Sequence, residues 1–237
     1  MLIRAVLDVA GGRVVRAVGG RREAYRPWRP AWCPSADPLA FARAARDRWG
    51  VRHLYLADLD ALAGTGPRDP AAHRGVWDDL LADGFDLLAD AGTRVPGDGD
   101  FLRESGLARW VAASEAVRDN ATLRDLLALP GAVGGWDLRA GATVGPAGCG
   151  AVLRAHAREL LVLDVAAVGG GGGVPTLRRC RSLLGGRPGQ AVLTGGGVRG
   201  VADVRAAAAA GVSELLVATA LDDGRLDAAN LRPWLAP

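Results

Sequence analysis

Thr194-Gly195-Gly196-Gly197-Val198-Arg199 closes the apolar run Gln190 to Thr194 and leads into Val201-Ala202-Asp203-Val204-Arg205 and five alanines. That order reads as a buried strand, a glycine turn and an alanine-rich helix. The unit recurs. Asp90-Ala91-Gly92-Thr93-Arg94 through Ala113-Ser114-Glu115-Ala116 aligns without gaps with Gly195-Gly196-Gly197-Val198-Arg199 through Ala218-Thr219-Ala220-Leu221, displaced by 105 positions. A second match pairs Asp8-x-x-x-Gly12-x-x-Val15 with Asp137-x-x-x-Gly141-x-x-Val144. Two ordered matches point to a duplicated half.

Working outward, short apolar runs span Ile3 to Val9, His53 to Leu59, Phe85 to Asp90, Ala108 to Ala113, Gly131 to Leu138, Glu159 to Val165, Gln190 to Thr194 and Glu214 to Thr219. Each is followed by a segment of helical periodicity. Runs as continuous as Leu160-Leu161-Val162-Leu163 suit parallel strands buried on both faces. Eight strand-then-helix units make an α/β chain and match a closed (β/α)8 TIM barrel. The expectation is one domain over 1–237, made of half-barrels at about 1–120 and 121–237. Between strands, Asp37-Pro38-Leu39-Ala40-Phe41 reads as a capped helix start.

Composition narrows the class. The 237 residues are 49% hydrophobic and 23% charged, as in a globular protein. No run of about twenty apolar residues could span a bilayer, and the amino terminus does not resemble a signal peptide, so a cytoplasmic protein without membrane contact is expected. Cys33, Cys149 and Cys180 are far apart and show no metal spacing. The net charge of +3 is dispersed, with no basic run interleaved with aromatics, so nucleic acid is not an expected partner. All 29 basic residues are arginine. Without lysine there is no side-chain Schiff base, which excludes aldolases of that type and pyridoxal-phosphate enzymes. No cofactor is expected, and the sequence leaves the oligomeric state open.

The glycine run can present bare backbone amides and a helix start to one anion. Ala218 and Thr219 end the eighth strand, and loops after strands seven and eight are where this fold most often holds phosphate. Gly170, Gly195, Gly196, Gly197, Ala218 and Thr219 are therefore the candidate phosphate site, with ordinary tight turns as the alternative. The first-half counterparts read Asp90-Ala91-Gly92 and Ala113-Ser114-Glu115. Two carboxylates there would repel a second phosphate. The expected ligand is a phosphorylated small molecule with one phosphate and a cationic or hydrogen-bond-donating far end.

Asp8, Asp58, Asp60, Asp90, Glu115, Asp137 and Asp164 fall at or just past inferred strand ends, the catalytic face of a barrel. A carboxyl buried there can act as general acid or base. Asp8 and Asp137 are the favoured pair, with Asp164 as a further catalytic candidate; a divalent metal held by the acids, or plain turn formation, are the alternatives. Asp58, Asp60, Asp90 and Glu115 are candidate substrate contacts. The long loop after the first strand adds Arg16, Arg21, Arg22 and Tyr25, then Trp28 and Trp32. Arginine forks there could grasp an anion and the tryptophans could cover a ring; a solvated loop packing its tryptophans on the rim is the alternative.

Asp8-Val9-Ala10-Gly11-Gly12-Arg13-Val14-Val15-Arg16, Leu54 to Leu59, Gly195 to Arg199 and Leu216 to Leu221 together resemble the paired histidine-biosynthesis barrels, the ribotide isomerase and the cyclase subunit of imidazole glycerol phosphate synthase. The likeness covers essentially the whole chain. It implies that Asp8 is the strand-one catalytic acid and that Gly196, Gly197, Ala218 and Thr219 form a phosphate site. The chain departs from those enzymes where they carry a second catalytic aspartate followed by Gly-Thr: Val168 stands there, and valine transfers no proton. Unless Asp164 or Asp137 substitutes, isomerase chemistry should suffer. Arg21-Arg22-Glu23-Ala24-Tyr25-Arg26-Pro27, Ala57 to Leu62 and Leu163 to Gly169 look more like a divergent branch of these barrels found beside genes of tetrahydromethanopterin-dependent one-carbon metabolism. That resemblance implies a role in making a one-carbon carrier.

Overall fold

The computed structural model describes residues 1–64, 71–187 and 189–235. Eight parallel strands form the barrel: β1 (Leu2–Ala10), β2 (His53–Asp58), β3 (Asp86–Asp90), β4 (Arg109–Ala113), β5 (Ala132–Arg139), β6 (Glu159–Asp164), β7 (Ala191–Gly195) and β8 (Glu214–Val217). Neighbours pair in sequence order, and β8 returns to β1 in parallel register, Leu2 opposite Glu214 and Ala5 opposite Val217. The sheet is closed and has no free edge. Helices alternate with the strands, among them α1 (Pro38–Trp49), which Asp37 caps by accepting from the Ala40 N–H at 2.8 Å. Among the described residues no helix is long and apolar enough to cross a membrane.

Alternate residues of each strand face opposite sides. Ile3, Leu7, Leu54, Leu56, Leu87, Ala89, Leu160 and Val162 pack in the core beneath the helices. Tyr55, Ala57, Leu88, Val111, Val133, Leu161, Leu193 and Leu216 fill the barrel interior. Counting by twos sends Asp8, Asp90 and Asp137 inward. The same count puts Asp58, after Leu54 and Leu56, and Asp164, after Leu160 and Val162, on the outer face.

Two short hairpins follow the first strand of each proposed half. Residues Arg13–Arg16 turn back antiparallel on β1, with Asp8 opposite Val15, and Ala142–Thr143 turn back on β5. Each turn is tethered by an acid from the next strand's exit: the Gly11 N–H donates to Asp60 at 2.7 Å, and the Gly141 N–H to Asp164 at 2.7 Å. The motif displaced by 105 positions repeats too. The Arg94 N–H donates to Asp98 and the Arg199 N–H to Asp203, both at 2.8 Å.

The amino-terminal end of the barrel is closed by charge. Arg4, only 1% exposed, reaches Asp86 at 2.8 Å and also pairs with Glu214, while Arg109 bridges Glu214 at 2.7 Å and binds Glu159. His53 Nδ1 lies 2.6 Å from Asp86. The hydrogen bond from His53, with Arg4 adding attraction, holds the Asp86 carboxyl down at about 2. Removing Arg4 leaves its partly buried partners Asp86 and Glu214 with one countercharge fewer, though His53 and Arg109 still hold them. Arg4→Met is expected to lower the unfolding free energy by about 1–3 kcal/mol, read from urea denaturation; a change below about 0.5 kcal/mol would show that the plug is dispensable.

Candidate active site

At the opposite, carboxyl-terminal end, the strand exits and the loop after β1 enclose a cavity of about 440 Å³. Its wall is apolar in part, from Val6, Val15, Trp28, Leu59, Leu163 and Val168, and charged in part. Asp8, Asp90, Glu115 and Asp137 all line it, together with Arg16, Arg22 and Tyr25. Closing the barrel is what gathers these residues from β1, β3, β4 and β5.

The three inward aspartates are held above the ordinary carboxylate range, chiefly because enclosure removes them from water. Asp8 is pushed up to about 7, with the Arg22 guanidinium partly offsetting the shift. Asp137 rises to about 7, enclosure being reinforced by the charges of Glu115 and Asp90. Asp90 rises to about 6 against the opposing hydrogen bond from Tyr55. Asp137 accepts from the Ser114 hydroxyl at 3.2 Å and the Glu115 N–H at 3.1 Å, which fixes one of its oxygens. The Tyr55 hydroxyl donates to Asp90 at 2.8 Å and is itself held protonated, by burial first and then by Asp90, Asp137 and Asp8.

The other candidate acids sit elsewhere. Asp164 lies outside the cavity, and its two oxygens accept from the Ala140, Gly141 and Ala166 N–H groups at 3.0, 2.7 and 3.1 Å. This placement sets Asp164, the further catalytic candidate, apart from Asp8 and Asp137 and makes it a holder of two turns. Asp58 caps the helix Leu59–Ala63 through the Ala61 N–H at 3.0 Å, and Asp60 holds Gly11. Neither lines the cavity. Among the described residues no metal-ligating cluster of three His, Cys, Asp or Glu side chains occurs.

The loop after β1 roofs the mouth. Gly19 donates its N–H to the Val168 carbonyl at 2.8 Å, and Arg22 pairs with Glu115 at 2.8 Å. Val168 thus anchors the roof through its backbone. Arg16 stacks over Trp28 at 5.7 Å and approaches Asp222 at 3.6 Å. Arg21 is exposed and does not line the cavity. Trp28 touches the cavity from the edge of an aromatic cluster, whereas Trp32 packs on Phe41 and Trp49 at 4.6 and 4.7 Å between ring centres. Arg139, at the exit of β5, also lines the cavity and had no sequence signal beyond following Asp137 by two.

Gly169, Gly170, Gly196, Gly197, Ala218 and Thr219 form the wall on the β6, β7 and β8 side. Packing accounts for part of the glycine run. A Cβ on Gly195 would lie 2.6 Å from the Leu216 Cβ, and one on Gly197 would lie 2.2 Å from the Gly173 carbonyl oxygen. Gly196, with φ +84°, has no neighbour nearer than 3.7 Å to such an atom, so the open face of the loop lies there. Gly195 itself does not reach the cavity.

Residues 2–227 match the family model described as histidine biosynthesis protein. The chain belongs to this family. Among its relatives, a 1-(5-phosphoribosyl)-5-((5-phosphoribosylamino)methylideneamino)imidazole-4-carboxamide isomerase of Rubrobacter xylanophilus is 32% identical over 92% of the chain and 90% of the relative. An isomerase of the same name from Xanthomonas oryzae pv. oryzae is 32% identical over 93% of the chain and 94% of its own length. An uncharacterized protein of Methanocaldococcus jannaschii is 25% identical over 96% of each chain. The histidine biosynthesis family assignment therefore spans the barrel from β1 through β8.

The raised carboxyls make a pH prediction. Between about pH 4 and 7 the folded chain binds more protons at Asp8, Asp90 and Asp137 than the unfolded chain does, so their contribution to stability declines as pH rises through that window. Asp8→Asn and Asp137→Asn should each flatten the decline, measured as the difference in urea midpoint between about pH 5 and about pH 7. A slope unchanged in both variants would contradict the assignment.

Proposed function

We propose that the chain is an enzyme that acts on a mono-phosphorylated small molecule by carboxylate acid–base chemistry, in the making of a one-carbon carrier of the tetrahydromethanopterin type. The observation that carries the chemistry is the enclosure of Asp8 and Asp137 in one cavity, both near pKa 7. Groups poised there exist in both protonation states at neutral pH, so one can donate a proton while the other accepts. Asp8 faces the cavity from β1; Asp137, oriented by Ser114 and the Glu115 N–H, faces it from β5. Three strands lie between them on either side of a ring of eight, which sets them on opposite sides of a bound substrate.

The phosphate is assigned to the loops after β7 and β8, at Gly196, Gly197, Ala218 and Thr219, with Gly170 contributing from the loop after β6. Support comes from the open face at Gly196 and from the preference of this fold for phosphate at these loops. Arg16, Arg22, Tyr25, Asp90 and Glu115 are the proposed substrate contacts. The chain is read as one domain of two half-barrels, the first of which has exchanged its phosphate loop for carboxylates. The one-carbon assignment rests on the resemblance of Arg21 to Pro27, Ala57 to Leu62 and Leu163 to Gly169 to the divergent branch.

A second reading is favoured by the names of the 32% identical relatives: an aminoaldose–ketose isomerase of histidine synthesis in which Asp137 supplies the proton transfer lost at Val168. Assay of the purified protein with the isomerase substrate separates the two, because turnover at an ordinary enzymatic rate would overturn the first. On the metabolite that accumulates when the gene is deleted, Asp8→Asn and Asp137→Asn are expected to lower kcat by about 10²–10⁴. Each should also remove one limb of a pH–rate profile centred near pH 7. Unchanged rates in both variants would overturn the Asp8–Asp137 pair, whereas no turnover by the unaltered protein would leave a phosphate-binding protein without catalysis.

A further inference from the structure

The proposal begins with one buried oxygen. Asp90 is 6% exposed and lines the cavity; its Oδ2 accepts from the Tyr55 hydroxyl at 2.8 Å and the Gly92 N–H lies near enough to favour its ionised form, while its Oδ1 is buried without a partner in good hydrogen-bond geometry. A buried carboxylate oxygen without a donor is costly, and native structures rarely leave one so. Beside it stand Glu115 and Asp137, with Asp8 facing the same space. Arg22 is the guanidinium engaged there, and it is committed to Glu115 at 2.8 Å. Arg16 and Arg139 line the cavity as well, Arg16 turned toward Asp222, so four ionised carboxyls still outnumber the guanidiniums around them.

The position of this end matters. Asp90 closes β3 and Glu115 follows β4, so they lie four strands around the ring from the glycine loops after β7 and β8. The displacement of 105 residues sets Asp90 on the position of Gly195 and Glu115 on that of Ala220. Side chains that accept hydrogen bonds have replaced residues without polar side chains.

We propose that the Asp90–Glu115 end of the cavity binds a positively charged, hydrogen-bond-donating nitrogen group, an amine or amidine, with Asp90 Oδ1 as its principal acceptor. The ligand is then dipolar, phosphate at one end and cationic nitrogen at the other, and a bis-phosphate is rejected. The phosphate half of this statement rests on the function proposed above; the nitrogen half rests on Asp90 alone. Binding a cation favours the ionised form of the carboxyl it contacts, so a proton leaves Asp90 when the ligand enters.

The test compares three probe series with chains of three to six carbons in isothermal titration calorimetry on the full chain: alkyl phosphates, ω-aminoalkyl phosphates and α,ω-alkyl bisphosphates. Simple alkylamines form a fourth series. At the best chain length the aminoalkyl phosphate should bind at least about tenfold tighter than the alkyl phosphate, the size expected for one charge-assisted hydrogen bond to a buried acceptor. The bisphosphate should bind no tighter than the alkyl phosphate. Asp90→Asn should erase most of the aminoalkyl preference while alkyl phosphate affinity holds, and repeating the titration in buffers of different ionisation enthalpy should show proton release in the wild type. Glu115→Gln gives a second variant, and if neither variant folds, the wild-type ligand ratios decide.

Equal affinity for amino and plain alkyl phosphates, or tighter binding of bisphosphates, overturns the nitrogen site while leaving the phosphate grip intact. Binding of alkylamines that depends on Asp90, with no phosphate series binding, upholds the nitrogen site and overturns the phosphate reading. Failure of all four series overturns both.

Discussion

Parallel pairing of Leu2–Ala5 with Glu214–Val217 closes the sheet, and the rest of the molecule depends on that closure. In an open sheet, residues at alternate positions would face one layer of helices or the other. In a closed one they face either the helices or a narrow interior whose two ends are the only places a polar group can be satisfied. At the amino-terminal end Arg4 and Arg109 meet Asp86, Glu159 and Glu214 and neutralise one another. At the other end Asp8, Asp90 and Asp137 converge in enclosure with no ion pair to any of the three among the described residues, and their carboxyls rise toward neutral pH. The first arrangement stabilises the barrel; the second stores chemical reactivity in it.

The two halves illustrate how a repeated scaffold can hold unlike sites. Hairpin tethers at Gly11 and Gly141, and arginine–aspartate motifs at Arg94 and Arg199, recur with matching hydrogen bonds. Those contacts lie at turns and helix starts, where backbone geometry dictates them. The strand tips differ: glycines and Thr219 on one side, Asp90 and Glu115 on the other. The difference alters charge, and on the β7 side packing also enters, since a Cβ on Gly195 would meet Leu216. Tyr55 shows the adjustment that accompanies it, supplying a hydroxyl to the buried Asp90.

The roof over the site is tied at two points by different physics. Gly19 bonds to the Val168 carbonyl, a backbone contact that any residue at 168 could make, whereas Arg22 and Glu115 form an ion pair at the cavity rim. Val168 therefore holds the roof through its backbone, while its side chain adds only apolar wall. Trp32, Phe41 and Trp49 brace the far end of the same loop against α1, which explains its aromatic content without invoking a ligand.

From the residue string alone, the barrel and the bounds of its strands were legible, because parallel strands covered on both faces become nearly continuous apolar runs. Repetition at 105 positions was legible for the same reason, since turns keep their glycines and acids. That continuity also conceals which residues face inward. Asp8, Asp58, Asp90, Asp137 and Asp164 look alike at the ends of such runs, and only closure of the ring sorted them, sending three into the cavity and two to turns on the outer face. The ion network beneath the barrel and the place of Arg139 at its mouth were hidden too. Both depend on distant strands meeting across a ring, and no local pattern encodes that distance.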